Sequence, residues 1–367
     1  MFKIKNIETY IIQVPLLVPL TMSGIHIEHC DNTVVKITAN NGKVGWGEAP
    51  YAPFFNGETS RGMVATIDFM KDRLLGKEIL QQSDIKDVIS STIYGNSGAK
   101  SAIDMALYDL FGKSEDKPLY ETLGGAKRDK VPMIWLVAGG DDEFKLLAEK
   151  VDQGFVSFKV KVGTNNVHED IERSYQAQRI LDHNYTLSAD ANQGFNRSDA
   201  LIFASKTGDI GLDFFEQPVT GKDIDTMVEC NAKSYAPIGV DEGIHNIDDI
   251  KMHHDRKAAN GGSLKMIKFG GVAQLFEAAN LMHSYDMHIN LAGKAANTSI
   301  GSAAIAHFTR ALPSLDWDAS LSSQYLSDDI AKNPVKVIEG HIITPEDGPG
   351  LGINIDEDKL NQYSIKL

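Results

Sequence analysis

The sequence predicts an α/β protein in which a closed barrel of parallel strands and outer helices follows a smaller α+β domain. Two observations carry this prediction. From Val131 onward, short apolar segments alternate with amphipathic ones along the chain. Charged residues also recur at or near the ends of these apolar segments, at intervals of 24–29 residues. Such an interval fits one strand, one helix and two loops, and a barrel would bring these residues together at one rim.

The N-terminal part has the pattern of antiparallel strands followed by helices. Asn41-Gly42 lies between two strand-like segments and predicts a hairpin turn. From Thr59 to about Gly125, small and apolar residues recur at helical spacing before a glycine-rich stop. The predicted domains are an α+β domain over residues 1–125, with the tail 340–367 packing back on it, and a barrel over residues 126–339.

Eight segments after Val131 predict parallel strands, because helices and short connections separate them. The strand segments are VPMIWLV, SFKVKV, TLSADA, LDFFEQP, PIGVDE, LKMIKFG, MHINLAG and LDWDA. The helical segments between them are HEDIERSYQAQRILD, SDALIFASKTG, DIDTMVECNAKSY, NIDDIKMHHDRKA, AQLFEAANLMHSYD and SIGSAAIAHFTRALP.

Composition narrows the classes of function. The 367 residues carry a net charge of −14, which argues against nucleic acid or an anionic membrane as partner. No apolar stretch approaches the ~18 residues of a membrane span, and the first residues do not resemble a signal peptide. Cys30 and Cys230 lie far apart and support neither a disulfide framework nor a thiolate metal site. We expect a cytoplasmic protein that forms a homo-oligomer.

Lys159 and Lys161 lie two residues apart in a predicted strand, so their side chains share one face. Two lysines that face a barrel interior without partners would be costly. Taken alone, the pair would fit an exposed edge strand equally well. The carboxylates that end the next three strands favour a functional pair.

Asp190, Glu216 and Asp241 end three consecutive predicted strands, each just before polar loop sequence. Oxygen ligands without a neighbouring cysteine favour Mg²⁺. A single residue of this kind would more often cap a helix. The regular triple therefore predicts a metal site, for which Glu242 is a further candidate by sequence.

Lys265 and Lys268 are three residues apart, on opposite faces of a predicted strand, so one of them can reach the barrel interior. A metal on a substrate carboxylate would make the α-hydrogen removable, and nearby cations would lower the pKa of a lysine base. Lysines on the second and sixth strands would face each other across the barrel mouth. One could remove a proton and the other deliver one, which gives epimerisation, or elimination where the β-carbon carries a leaving group.

These motifs resemble the muconate-lactonizing-enzyme subgroup of the enolase superfamily over nearly the whole chain. KPLYETLGG resembles the family's entry into the barrel, KVK its paired lysines, DANQG, EQPV and DEG its metal strands, LKMIKFGG its opposite lysine strand and GPGLGI its closing signature. The resemblance implies a modified (β/α)7β barrel of the TIM type under an α+β capping domain. It also implies one Mg²⁺ per subunit, catalytic roles for Lys161, Lys265 and Lys159, and supporting roles behind the ligands for Asn192 and Glu242.

The segment LDWDAS resembles the Asp-x-Asp motif of dipeptide epimerases, which implies that Asp316 and Asp318 bind a substrate ammonium group. A solvated loop or a helix N-cap is the alternative for this pair. The loops Leu20–His29 and Pro50–Gly57 are expected to select the substrate side chain. Individual substrate contacts are expected from Ser23, His26, Trp135, Gly293, Lys294 and Asn297.

The predicted function is that of an isomerase, a Mg²⁺-dependent epimerase that inverts the α-carbon of the C-terminal residue of a dipeptide. The alternative is an o-succinylbenzoate synthase or N-succinylamino-acid racemase, whose substrates offer no ammonium group to Asp316 and Asp318. A more remote alternative is a non-catalytic binding protein on the same scaffold. Five charged site residues argue against it, since buried charges without a use are costly.

Overall fold

The N-terminal domain is an antiparallel sheet packed on helices. The structure is a computed structural model that describes residues 1–22, 25–53, 55–140, 142–294, 296–345 and 348–366. The domain's elements are β1 (Phe2–Ile12), β2 (Pro15–Met22), β3 (Ile25–His29), β4 (Asn32–Ala39), β5 (Val44–Pro50), α1 (Ser60–Leu74), β6 (Glu78–Ile79), α2 (Ser83–Ser90), α3 (Ser97–Glu115) and α4 (Leu119–Thr122).

The main sheet of this domain has the strand order β5-β4-β1-β6, and α3 packs on the face of the sheet against β5 and β4. Glycines in β5 permit this close packing. A Cβ atom on Gly47 would lie 2.0 Å from the carbonyl oxygen of Ala102 in α3. Because α3 lies between the sheet and the barrel, fourteen of its residues are buried, and they include Asp104 and Asp109.

Parallel strands follow in chain order and form the barrel. They are preceded by β7 (Val131–Pro132) and consist of β8 (Ile134–Val137), β9 (Ser157–Lys161), β10 (Thr186–Asp190), β11 (Phe214–Glu216), β12 (Ile238–Val240), β13 (Gly261–Leu264), β14 (His288–Ala292) and β15 (Ala319–Ser320). A parallel bridge between Met133 and Ala319 joins the first strand region to the last. The predicted fold, a TIM-type barrel with a capping domain, is therefore confirmed.

Helices surround the barrel: α5 (Glu143–Asp152), α6 (Val167–Leu181), α7 (Arg197–Ala204), α8 (Thr207–Ile210), α9 (Ile224–Lys233), α10 (Ile247–Asp255), α11 (Met266–Phe269), α12 (Val272–Ser284) and α13 (Ser299–Ala311), with a 3₁₀ turn at Ser323–Tyr325. No helix in the described ranges is long and apolar enough to span a membrane.

The C-terminal segment contacts both parts of the molecule. Its elements are β16 (Lys336–Ile338), β17 (His341–Ile343) and α14 (Glu357–Tyr363). β17 pairs with β7 at the start of the barrel. Further on, the Ile365 amide donates to the Ile11 carbonyl at 2.9 Å, and the Leu119 amide donates to the Gly350 carbonyl at 2.8 Å. The tail therefore joins the N-terminal domain through backbone hydrogen bonds.

Candidate active site

The strand register brings the charged residues together at the carboxyl ends of the barrel strands. Lys161 of β9 lies opposite Asp190 of β10, and Asp190 lies opposite Glu216 of β11. Asp241 directly follows β12, and Lys265 directly follows β13. These five side chains line one cavity of about 900 Å³, a size that suits a small-molecule ligand.

Ion pairs connect the lysines to the carboxylates. The Lys161 ammonium lies 2.6 Å from an Asp190 oxygen and donates to Asn192 Oδ1 at 2.7 Å. Lys159 pairs with Glu216, and Lys265 pairs with Asp241. Lys159, Asp190, Glu216 and Asp241 are all buried, so each ionised group needs such a partner.

Lys265 and Lys268 do not lie on opposite faces of one strand, as the sequence pattern predicted. β13 ends at Leu264 and the short helix α11 begins at Met266, which brings both side chains to the same carboxylate. The Lys268 ammonium lies 2.9 Å from Asp241 Oδ1 and donates to the Asp241 and Ser263 carbonyls at 2.8 and 2.6 Å. Lys268 therefore holds both the carboxylate and the main-chain carbonyl of Asp241 in place, while Lys265 pairs with the same carboxylate.

The charges at this rim shift one another's pKa values. Burial opposes the positive charge of Lys265, but Asp241 and Glu242 outweigh it and raise the pKa of Lys265. Burial likewise disfavours ionised Asp241, yet Lys265 and Lys268 hold its pKa below the usual value. Burial, reinforced by Asp241 and Asp190, raises the pKa of Glu242 to about 8. Asn192 donates to Glu242 at 3.1 Å.

The donor chemistry of Asp190, Glu216 and Asp241 fits a hard divalent cation. Three buried carboxylates at neighbouring strand ends supply the oxygen ligands that Mg²⁺ prefers. Within the described ranges, however, no three acidic, histidine or cysteine side chains converge closely enough to hold one ion. Each of the three carboxylates is directed to a lysine instead. A cation of charge +2 would take over the neutralising role that these ammonium groups have.

The proposed ammonium-binding pair, Asp316 and Asp318, lies at the other end of the barrel, so this prediction is wrong. Asp316 is 49% exposed and pairs with His288, the first residue of β14. Asp318 interacts with Ser157, the first residue of β9. The error is one of strand position, because β15 begins at Ala319 and not within LDWD.

Hydroxyl groups occupy the place on this last strand that was expected to hold carboxylates. Ser320 and Ser322, four residues beyond Asp316 and Asp318, line the cavity. Ser322 Oγ accepts from the Asn297 amide at 2.9 Å and donates to the Lys294 carbonyl at 2.8 Å.

The other predicted substrate contacts are found only in part. Asn297 is not among the residues that line the cavity, because its side chain donates to Glu48. Gly293 and Lys294 line the cavity as expected. Trp135 does not, because it points outward, where its ring packs on Phe155 at 5.5 Å and under the Lys150 ammonium at 4.1 Å. Its neighbour Leu136 takes the inward position.

Ser23 and the side chain of His26 lie outside the part of the chain that the structure describes.

The capping domain closes the cavity from above through two segments. The first runs from Ile27 to Asn32, and the second contributes Tyr51 and Phe55. The Phe55 ring lies 4.7 Å from the Lys265 ammonium. The loops that were expected to select the side chain therefore reach the cavity.

Buried residues that sequence reasoning missed hold the site in place. Gln217 Oε1 accepts from the amides of Asp241 and Gly243 at 2.8 and 3.1 Å, which fixes the turn after β12. Glu48 accepts from the Thr298 amide at 2.9 Å and from Asn297 Nδ2 at 3.0 Å. Gln217 follows Glu216 in EQPV, a motif that could have drawn attention to it. No sequence motif pointed to Glu48.

Comparisons with known proteins agree with this architecture. The model of the "Enolase C-terminal domain-like" family matches residues 143–359. The model of the "Mandelate racemase / muconate lactonizing enzyme, N-terminal domain" family matches residues 6–124. The chain belongs to the enolase superfamily, in its muconate-lactonizing-enzyme subgroup.

Similar proteins within this family are isomerases. The chain is 29% identical to an N-succinyl-L-Arg/Lys racemase of Bacillus cereus, over 99% of this chain and 98% of the relative. It is 27% identical to a chloromuconate cycloisomerase of Cupriavidus pinatubonensis, over 96% of each.

Solved structures give the same range of activities. The racemase from Bacillus cereus superposes with a TM-score of 0.93 at 27% identity, over 99% of this chain and 98% of that one. The substrate-liganded L-Ala-D/L-Glu epimerase from Bacillus subtilis gives 0.89 at 27% identity, over 96% and 98%. A dipeptide epimerase from Cytophaga hutchinsonii, complexed with Mg and D-Ala-L-Val, shares the fold with a TM-score of 0.91 at 24% identity, over 99% and 98%.

Proposed function

We propose that this protein is a Mg²⁺-dependent racemase of N-acylated amino acids, which moves a proton between the two faces of the α-carbon. The observation that carries the proposal is the position of Lys161 and Lys265. Their strands, β9 and β13, are four strands apart in an eight-stranded barrel, hence on opposite sides, and both side chains line the same cavity. A substrate α-carbon between them would expose one face to each amine.

Removing an α-proton next to a carboxylate requires strong stabilisation of the extra negative charge. When bound by Asp190, Glu216 and Asp241, Mg²⁺ would supply this by withdrawing charge from the substrate carboxylate. The buried ammonium of Lys159, paired with Glu216, adds a positive charge beside the proposed metal site.

The two lysines would act in complementary protonation states. Asp241 raises the pKa of Lys265, and a divalent cation held by Asp241 would offset this effect. One lysine would then enter the cycle neutral and take the α-proton, while the other would enter as an ammonium and donate a proton to the opposite face. After the transfer the protonation states are exchanged, so the enzyme is ready for the opposite enantiomer. Atoms and charge balance without a further reactant.

The residues at the carboxyl end of β15, the last strand of the barrel, favour a substrate with an acylated amine over one with a free amine. An α-ammonium group would need carboxylates near it, and Asp316 and Asp318 lie at the other end of the barrel. The hydroxyls of Ser320 and Ser322 are neutral and suit an amide group.

A dipeptide epimerase is the second candidate, because the capping domain brings Glu28 and Asp31 to the same cavity. Burial raises the pKa of Asp31, so an ammonium group would find a partly buried acid there. In this alternative the dipeptide's N-terminus would point towards the cap and away from β15.

Deuterium exchange in D₂O tests the proposal and separates the candidates. We expect Mg²⁺-dependent exchange of the α-hydrogen in N-acyl amino acids, detected by NMR or mass, and loss of exchange when the ion is chelated. Dipeptides with free and acetylated N-termini form matched pairs. Exchange confined to the free form would favour the epimerase, and no exchange in any N-acyl amino acid would contradict the racemase.

A further inference from the structure

Lys294 differs from the other lysines of the cavity. Lys159, Lys161 and Lys265 each pair with a carboxylate of the barrel rim. The Lys294 side chain, just beyond the carboxyl end of β14, lines the same cavity, and within the described ranges no carboxylate pairs with its ammonium. A partly buried ammonium without a partner is costly, so its presence calls for a use.

The main-chain carbonyl of Lys294 belongs to a hydrogen-bond network. Its carbonyl accepts from Ser322 Oγ at 2.8 Å, and the same hydroxyl accepts from the Asn297 amide. Asn297 in turn donates to the buried carboxylate of Glu48. The carbonyl of the residue that carries the ammonium is therefore hydrogen-bonded to the segment after β15 without a ligand, and such prior positioning limits the entropy lost on binding.

Two effects lower the pKa of the Lys294 ammonium. Burial lowers its pKa to about 8, and the neighbouring charge of Lys265 acts in the same direction. An anion that entered the cavity would gain a charge-assisted hydrogen bond and relieve the unpaired ammonium at the same time.

We propose that Lys294 binds a second carboxylate of the substrate, at the far end of its acyl group, and thereby selects N-acyl groups that end in an acid, such as succinyl. This inference rests on the proposed function for its substrate class. The cavity of about 900 Å³ has room for an amino acid and a four-carbon acyl chain together.

Paired substrates provide the test. N-succinyl and N-butanoyl derivatives of one amino acid have acyl chains of equal length and differ in the terminal carboxylate. In the wild-type protein we expect kcat/KM for α-proton exchange to favour the succinyl derivative at least roughly tenfold, as for one charge-assisted hydrogen bond. Lys294→Met should abolish this preference, mainly through KM, and Lys294→Arg should keep most of it.

An exposed lysine supplies the control. Lys145→Met, on the outer helix α5, should leave the preference as in the wild-type protein, since Lys145 is 72% exposed. The inference is overturned if the wild-type protein shows no preference, or if Lys294→Met affects both derivatives equally.

A binding measurement separates this inference from the proposed function. Calorimetric titration in the presence of Mg²⁺ should show succinate binding more tightly than butanoate to the wild-type protein but not to Lys294→Met. Exchange of the butanoyl derivative alone would support the racemase and overturn the role of Lys294. Selective succinate binding without any exchange would support Lys294 and contradict the racemase.

Discussion

The two ends of the barrel carry similar acidic residues but use them differently. At the carboxyl end, Asp190, Glu216 and Asp241 are buried at the cavity and each pairs with a lysine. At the amino end, Asp316 is half exposed beside His288, and Asp318 interacts with Ser157. The position of a carboxylate along its strand decides whether it reaches the chemistry, which is why active sites of such barrels gather at one face.

The largest effect is expected at the carboxyl end, from Asp241→Asn. Asparagine keeps the shape but removes the charge that faces Lys265 and Lys268, and it removes one of the three oxygen donors proposed for Mg²⁺. We expect kcat/KM for α-proton exchange to fall at least ~100-fold, the scale of losing one group that stabilises the charge of the transition state.

The matched control for this substitution is Asp213→Asn at the amino end, where Asp213 accepts from the Leu187 amide at 2.7 Å. Asparagine can accept the same hydrogen bond, so activity should stay near that of the wild-type protein. Equal losses of kcat/KM in Asp241→Asn and Asp213→Asn would contradict the claim that only carboxylates at the carboxyl end of the barrel serve catalysis.

A smaller effect is expected when a carboxylate is placed at the carboxyl end of β15. Ser320→Asp would put an acid into the cavity where Asp316 and Asp318 were expected. Relative to N-acyl substrates, kcat/KM for dipeptides with a free N-terminus should rise about tenfold, as one charge-assisted contact allows. An unchanged ratio of the two kcat/KM values would show that this position does not face the substrate amine.

At the amino end, Asp318 should influence stability rather than catalysis. Burial, reinforced by Asp213 and Asp316, raises its pKa to about 6, against the opposing effects of Ser157 and His341. Between pH ~4 and ~6 the folded state therefore holds a proton that the unfolded state has lost, so this group's contribution makes stability fall as pH rises through that window.

Asp318→Asn should flatten this part of the pH dependence and raise the Tm at pH 8 relative to the wild-type protein. The left-handed backbone at Asp318, with φ of 53°, is one that asparagine tolerates. Thermal unfolding of the variant and the wild-type protein, followed by circular dichroism at pH 4, 6 and 8, measures this difference in Tm. A lower Tm for the variant at pH 8 would contradict the assignment.

The smallest effect is the activity of the same variant. Because Asp318 lies away from the cavity, kcat/KM for exchange should stay within about threefold of the wild-type value at 25 °C. A loss of kcat/KM of ~100-fold would show that Asp318 acts in the active site.

The sequence predicted the barrel, the cap and the residues that line the rim, because strand-end charges at a regular period are a local pattern. It could not locate the start of β15, which lies at Ala319 and not at Leu315, and this shift of four residues moved the acidic pair from the last strand to the turn before it. It also missed that α11 follows Lys265, which turned an expected choice between Lys265 and Lys268 into a shared contact with Asp241. Glu48 makes its contacts with residues some 250 positions away, and no local pattern reports them.

The central claim is that Lys161 and Lys265 serve opposite faces of one carbon. It is tested most directly by α-proton exchange of the separate D- and L-enantiomers of an N-acyl amino acid in D₂O, with Lys161→Ala and Lys265→Ala. Each variant should lose exchange with one enantiomer by at least ~100-fold and keep it with the other, and the two variants should show opposite preferences. Exchange that is lost equally for both enantiomers, or that survives in both variants, would contradict the account.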